Sequence, residues 1–334
     1  MVIGKQSIQF DTPVSILGYG SVVGKKEGEG PLAKLFDHIY EDSYIGGTTW
    51  EEGEANLQKE AAAVALSKTG ISKNEIRYIF SGDLLNQLIA TSFGLMDYNI
   101  PVFGLYGACS TMGEALSLGS MTVSGGFADY VLAMSSSHFG SAEKTFRFPL
   151  EYGNQRPFSA TWTVTGSGCV VLGKEKGIAR ITGITTGKIV DYGVKDSMNM
   201  GACMAPAAAD VIAAHLADYG SKPDDYDKII TGDLGYIGQT ILIDLLEKKG
   251  IHIKNQHEDC GILIYDKDKQ DTHAGGSGCG CSAVTLCSYI LKKIEKKQWK
   301  KILFIPTGAL LSTISFNEGK SVPGVAHCVV IEAV

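Results

Sequence analysis

The chain repeats itself. Residues Gly70-Ile-Ser-Lys-Asn-Glu-Ile-Arg-Tyr-Ile-Phe-Ser-Gly-Asp-Leu84 resemble Gly220-Ser-Lys-Pro-Asp-Asp-Tyr-Asp-Lys-Ile-Ile-Thr-Gly-Asp-Leu234, and each segment follows an alanine-rich helical run. Val14-Ser-Ile-Leu-Gly-Tyr-Gly-Ser pairs with Ala179-Arg-Ile-Thr-Gly-Ile-Thr-Thr, and Gly168-Cys-Val-Val-Leu172 with His327-Cys-Val-Val-Ile331. Cys109-Ser-Thr-Met-Gly-Glu-Ala-Leu mirrors Cys281-Ser-Ala-Val-Thr-Leu-Cys-Ser in the order of elements. Any one match is what strand–helix–strand segments share. Four in the same order indicate a duplicated unit. The halves meet near residues 174–178, which gives two domains, 1–177 and 178–334.

Within each half, short Val/Ile/Leu runs alternate with helical patterns, so the fold class is α/β. Strands are expected at 14–18, 78–81, 102–105, 130–135 and 168–172, and again at 181–185, 228–231, 261–265, 301–306 and 326–332. Runs apolar on both faces predict mixed sheets covered by helices on each side. Two such sheets sharing a helical layer form a layered sandwich. The charged run at 291–301 reads as a solvated helix end.

Composition narrows the function. The 334 residues are 44% hydrophobic, enough for a large core, and the 41 glycines suit tight turns. Acidic residues outnumber basic ones 36 to 30 and no long Lys/Arg run occurs, so nucleic acid is not an expected partner. The eight cysteines lie among apolar and glycine-rich neighbours, as reduced thiols do. No secretory leader and no run of roughly 18 apolar residues is visible, so a soluble chain without a transmembrane segment is expected.

The segment Val102-Phe-Gly-Leu-Tyr-Gly-Ala-Cys109-Ser-Thr-Met-Gly-Glu-Ala-Leu-Ser-Leu118 runs from an apolar strand through small residues directly into a helix. Met112, Ala115, Leu116 and Gly119 form one face of that helix. A thiol at the first turn meets unpaired N–H groups and the positive dipole end, which lower its pKa. The junction suits a nucleophile. It equally suits a carboxylate held without covalent chemistry. Buried packing is the plainer reading of a lone cysteine.

The two halves, the Ala-Cys-Ser helix junction and Thr165-Gly-Ser-Gly-Cys-Val-Val-Leu172 resemble the thiolase and ketoacyl-synthase superfamily over nearly the whole chain. Phe80-Ser-Gly-Asp-Leu-Leu-Asn-Gln-Leu-Ile, Phe146-Arg-Phe-Pro-Leu-Glu-Tyr-Gly-Asn-Gln-Arg-Pro and Trp162-Thr-Val-Thr-Gly-Ser-Gly are similar to its sporulation branch, the stage V sporulation protein AD family. The resemblance implies a thiolase-like five-layer αβαβα sandwich of two similar halves, usually a homodimer that extends a central sheet. It further implies binding of dipicolinate (pyridine-2,6-dicarboxylate), with Ca2+ as a possible companion, during calcium-dipicolinate uptake into the developing spore. Membrane proteins of the same sporulation operon are then the expected partners. The chain would be peripheral on the spore inner membrane, and soluble when isolated.

Condensing enzymes of this superfamily need Cys plus His/His or His/Asn, and thiolases add a second Cys. Cys109 matches the nucleophile, but the partner loops depart. After 228–231 the chain reads Gly232-Asp-Leu-Gly, before Cys281 it reads His273-Ala-Gly-Gly-Ser-Gly-Cys-Gly, and near the C-terminus Thr307-Gly-Ala-Leu-Leu stands in place of a Cys-Gly-rich motif. His273 is the one displaced substitute. Without an imidazole, condensation should be severely impaired, and Cys109 is expected to be a vestigial nucleophile in a protein more binder than enzyme. The rival reading is an acyltransferase using Cys109 on a CoA or carrier-protein thioester; a third is a structural scaffold.

The expected ligand pocket comprises Cys109, Ser110, Asp83, Asn86, Ser167 and Arg156. Arg147 and Arg156 flank the loop 148–155 and can offer charge to a dicarboxylate or bridge at the surface. Asp83 fits an anion poorly, and its twin Asp233 suggests that Gly-Asp ends a strand and caps the next helix. His138 reads as a satisfied loop histidine. Cys279-Gly-Cys281 with His273 and Cys287 lacks zinc-ligand spacing, so no metal site and no resident cofactor are expected.

Overall fold

The computed structural model describes residues 1–146 and 155–334; Arg147 and residues 148–154 lie outside them. Ten strands carry the architecture: β1 (Ser7–Val23), β2 (Ile76–Gly82), β3 (Val102–Gly104), β4 (Tyr130–Ser137), β5 (Gly166–Gly173), β6 (Ala179–Thr185), β7 (Lys228–Thr231), β8 (His257–Asp259), β9 (Lys301–Ile305) and β10 (Cys328–Ala333). Five helices position the rest: α1 (Trp50–Ser67), α2 (Thr111–Ser124), α3 (Met200–Tyr219), α4 (Gly235–Glu247) and α5 (Cys279–Thr285).

The strands run in the order β8-β7-β9-β10-β6-β1-β5-β4-β2-β3. Outward from the antiparallel β1–β6 pair, both halves read alike: two antiparallel pairings, then two parallel ones. Two similar halves are therefore visible in both the order and the direction of the strands.

Alternation along the strands then builds the layers. Val170 and Leu172 of β5, Ile302 and Phe304 of β9, and Val329 and Ile331 of β10 share one central core with Met112, Ala115 and Leu116 of α2 and Cys281 and Val284 of α5. The intervening residues face outward. Cys169 and Val171 pack against Leu57, Ala61 and Ala65 of α1. Leu303, Ile305, Cys328 and Val330 pack against Met204 and Ile212 of α3 and Leu242 and Leu246 of α4. Each fully buried aliphatic chain contributes about 1.5–3 kcal/mol, so a one-residue slip in any of these strands is strongly disfavoured. The result is five layers, helix–sheet–helix–sheet–helix.

One expected strand is not one. Residues 261–265 were the expected outer strand of the second half; the strand is β8, and Cys260–Leu263 is a short helix. The Asp259 carboxylate accepts from Ile262 N at 3.2 Å and caps that helix, turning the apolar run away from the sheet. α3 is long and apolar enough to cross a membrane, but 67% of its most apolar window is buried inside the protein, as in a core helix.

Candidate functional site

β3 leads into one turn of 3-10 helix, Ala108–Ser110, and then into α2. Ala108 holds φ at +48°, a left-handed conformation that costs an L-residue about 1–2 kcal/mol. Local hydrogen bonds fix it there. Thr111 Oγ1 donates to Ala108 O at 2.7 Å, Ser110 Oγ donates to Gly107 O at 2.8 Å, and Gly107 N donates to Thr111 Oγ1 at 3.2 Å. The turn is also clamped from the second half, because a Cβ on Gly308 would stand 2.3 Å from Gly107 O and 3.3 Å from Cys109 N. Only glycine fits at 308.

Cys109 is 5% exposed. Burial pushes its thiol well above the ordinary cysteine value, and the neighbouring Asp233 carboxylate pushes it further. The helix-terminus argument predicted the opposite shift. It fails because a dipole end assists a thiolate that bulk water also solvates, and here burial removes most of that solvation. Cys109 is a neutral thiol at physiological pH.

Asp233 is the residue that the sequence hid. It is fully buried against the Cys109 thiol. Ser277 Oγ and Gly278 N each donate to its Oδ2 at 3.0 Å, and Thr307 Oγ1 donates to Oδ1 at 2.8 Å. Burial raises its pKa to about 7 against the pull of these donors. Ser277 Oγ also lies 4.0 Å from Cys109 Sγ. The three loops expected to supply catalytic partners do converge on Cys109, and they bring a carboxyl group and two hydroxyls.

The cavity over Cys109, walled by Leu84, Phe146, Thr163, Met200 and Leu311 among others, holds about 30 Å³, room for about two water molecules.

The other expected site residues scatter. Ser110 stays in the Cys109 turn with its hydroxyl committed to Gly107 O. Asp83 is buried but satisfied within its own half: Oδ1 accepts from Leu85 N at 2.8 Å, and Oδ2 accepts from Thr91 N at 2.8 Å and Thr91 Oγ1 at 2.6 Å. Asp83 does hold the helix that follows it, through Thr91 N in the first turn of Ile89–Leu95, whereas Asp233 holds no N–H of α4 among the described residues. At α4 that task falls to Asp259, which accepts from Leu234 N and Gly235 N at 2.9 and 3.0 Å. Asn86 is exposed beyond β2. Ser167 is buried in β5 and donates to Ser135 O at 3.2 Å. His273 bonds Pro157 O and Asp271, away from the thiol. His138 is satisfied by Ser43 O and Gly140 N, and burial lowers its pKa. Cys279, Cys281 and Cys287 point at three different carbonyls, of Ser136, Gly232 and Cys169.

Arg156 lines a separate pocket of about 1000 Å³, next to the small cavity and sharing Glu143 with it. Its guanidinium lies 4.7 Å from the centre of the Trp162 ring, and Lys26 Nζ lies 4.1 Å from the same ring.

A five-layer sandwich with a cysteine at a strained strand-to-helix turn defines the thiolase and ketoacyl-synthase class. Solved structures agree over the whole fold: 3-oxoacyl-[acyl-carrier-protein] synthase III from Aquifex aeolicus (TM-score 0.58, 16% identity, 96% of this chain and 99% of that one), human mitochondrial 3-ketoacyl-CoA thiolase in complex with CoA (0.58, 13%, 98% and 99%), and cerulenin-bound OleA from Xanthomonas campestris (0.61, 13%, 97% and 98%). At these identities the likeness is one of fold. Residues 4–332 match the family described as stage V sporulation protein AD. The stage V sporulation protein AD of Bacillus subtilis (strain 168) is 43% identical over 329 residues, 98% of this chain and 97% of that protein. The chain belongs to that family, and its role lies in sporulation.

Proposed function

We propose that this chain serves sporulation as a dipicolinate-binding protein of calcium-dipicolinate uptake, not as a condensing enzyme. The observation that carries this reading is the group beside Cys109. A buried carboxyl with its charge against the thiol disfavours the thiolate, whereas a condensing site needs a base or an imidazolium that favours it. Peripheral attachment to the spore inner membrane through membrane partners of the same operon, and a homodimer, complete the reading.

Calorimetric titration with dipicolinate, with and without Ca2+, tests it. Saturable binding is expected. Absence of heat and of spectral change up to millimolar ligand, in both conditions, overturns the ligand assignment. The rival acyltransferase reading draws on the strained Ala108 turn and the close approach of Gly308 to Cys109 N; it requires an acyl-Cys109 adduct.

A further inference from the structure

The helix Phe139–Phe146 forms a wall that the two cavities share: Phe139 and Gly140 line the larger, Ala142 and Phe146 the smaller, and Glu143 both. Three contacts seat it on the N-terminal end of α1. A Cβ on Gly140 would overlap the Trp50 ring, Lys144 Nζ pairs with Glu51 Oε1 at 3.0 Å, and Ser141 Oγ lies 2.7 Å from Glu54 Oε2. The first is packing, and the second is a part-exposed ion pair, worth little. The third differs in kind, because Glu54 is a fully buried carboxyl with no cationic partner among the described residues. We propose that Glu54 is a proton-operated latch: as a neutral acid it holds this helix on α1, and when the helix lifts, its proton passes to water, so the shared wall opens more readily as pH rises.

Hydrogen-bond directions carry the proposal. Ser81 Oγ donates to Gln58 Oε1 at 2.9 Å, which turns the Gln58 amide nitrogen toward Thr91 Oγ1 at 2.9 Å and Ser136 Oγ at 2.8 Å. Thr91 then passes its hydrogen to Asp83 Oδ2, and Ser136 passes its own to Glu54 Oε1 at 3.0 Å. Ser141 has one hydrogen and two acceptors within reach, Glu54 Oε2 and, at 3.1 Å, His138 O in the opening turn of the helix. With Glu54 neutral, its Oε2–H donates to Ser141, Ser141 donates to His138 O, and every hydrogen has an acceptor. With Glu54 ionised, Ser141 turns away from His138 O, and the buried charge has hydroxyls in place of a cation.

The surroundings favour the neutral form. Asp83 takes the negative charge of the two carboxyls, because it accepts from the backbone N–H groups of Leu85 and Thr91 as well as from the Thr91 hydroxyl. Burial first, and the Asp83 charge second, raise the Glu54 pKa to about 8. No neighbour offsets this: burial keeps the Cys279 thiol neutral and lowers the His138 pKa, and Glu51 adds a further negative charge on α1. A pKa raised from 4.5 means that the neutral form favours the seated helix; that advantage is complete below about pH 4 and is lost as pH rises through about 8. Between these limits the opening equilibrium gains up to about ten-fold per pH unit.

The test is hydrogen–deuterium exchange of the full chain without ligand, reading the amides of 139–146 against those of α3 after correction for base-catalysed intrinsic exchange. In the parent, protection should fall by up to about ten-fold per pH unit from pH 6 to 8 and level off above. Glu54→Gln keeps both hydroxyl contacts without ionising, and its protection should show no pH slope. Glu51→Gln breaks the tie to Lys144 and should lower protection while keeping the slope. Ser141→Ala should cut protection at pH 6 about five-fold, and it decides the matter if Glu54→Gln does not fold. Parent-like exchange of α3 confirms that a variant is folded. A flat parent profile, a slope that survives Glu54→Gln or vanishes in Glu51→Gln, or full protection in Ser141→Ala overturns the latch. No ligand takes part, so the dipicolinate assignment and the latch stand or fall separately.

Discussion

The same tripeptide, Gly-Asp-Leu, follows the equivalent strand in each half, and the two aspartates do different work. Asp83, after β2, spends its carboxylate on its own loop, where two of its three donors are the fixed backbone N–H groups of Leu85 and Thr91. Asp233, after β7, is held by two hydroxyls and a single backbone N–H, and it faces a thiol from the other half. In the second half the loop-holding task has passed to Asp259, which frees Asp233. The two halves carry two copies of one turn. What differs is the partner each carboxylate meets: its own loop for Asp83, and Ser277, Thr307 and the Cys109 thiol for Asp233.

Stability separates the two positions most. Asp83→Ala orphans two backbone donors that cannot turn away and should cost about 3 kcal/mol in chemical denaturation. Asp233→Ala orphans one backbone donor, Gly278 N, and leaves hydroxyls that can rotate to other acceptors, so it should cost about 1 kcal/mol. Equal losses would break the comparison.

The pH dependence sharpens it. Asp233 has a folded pKa of about 7, above the carboxylate value of 3.8. Its protonated form therefore favours the fold: that contribution is complete below about pH 4 and is lost as pH rises through 7. Asp233→Asn should gain on the parent across this window, by roughly 4 kcal/mol at most at pH 8 relative to pH 4, read as a difference in melting free energy. Taking the difference removes the opposite trend from His215 and His257, whose pKa values burial lowers to about 4. A gain independent of pH would show that Asp233 is ionised throughout.

The smallest effect is on the thiol. Burial is the larger cause of the raised Cys109 pKa and Asp233 the next, so Asp233→Asn should speed alkylation of Cys109 by iodoacetamide at pH 8 about five-fold. Asp83→Asn should leave that rate unchanged.

Much of this fold is legible in the sequence, because period-two Val/Ile/Leu runs and alanine-rich helices state their own burial. The Cys109 turn is legible too, since only small residues fit between β3 and α2. The exceptions share a cause. Cys260-Gly-Ile-Leu-Ile-Tyr265 has the pattern of a strand and is diverted by one capping carboxylate, Asp259. The direction in which Asp233 points depends on Ser277 and Thr307, both distant in the chain, and its neighbours in sequence match those of Asp83. The pairing of Lys26 with Arg156 on Trp162 joins residues far apart in the chain, and no local pattern marks it. Side chains that answer to distant partners leave no periodic trace.

In the proposed reading, the carboxyl beside Cys109 stands where a catalytic imidazole would. Intact-protein and peptide mass spectrometry after incubation with acetyl-CoA tests it most directly. The account predicts an unmodified Cys109 in the parent protein at pH 7 to 8. A stoichiometric acetyl adduct on Cys109 would contradict it.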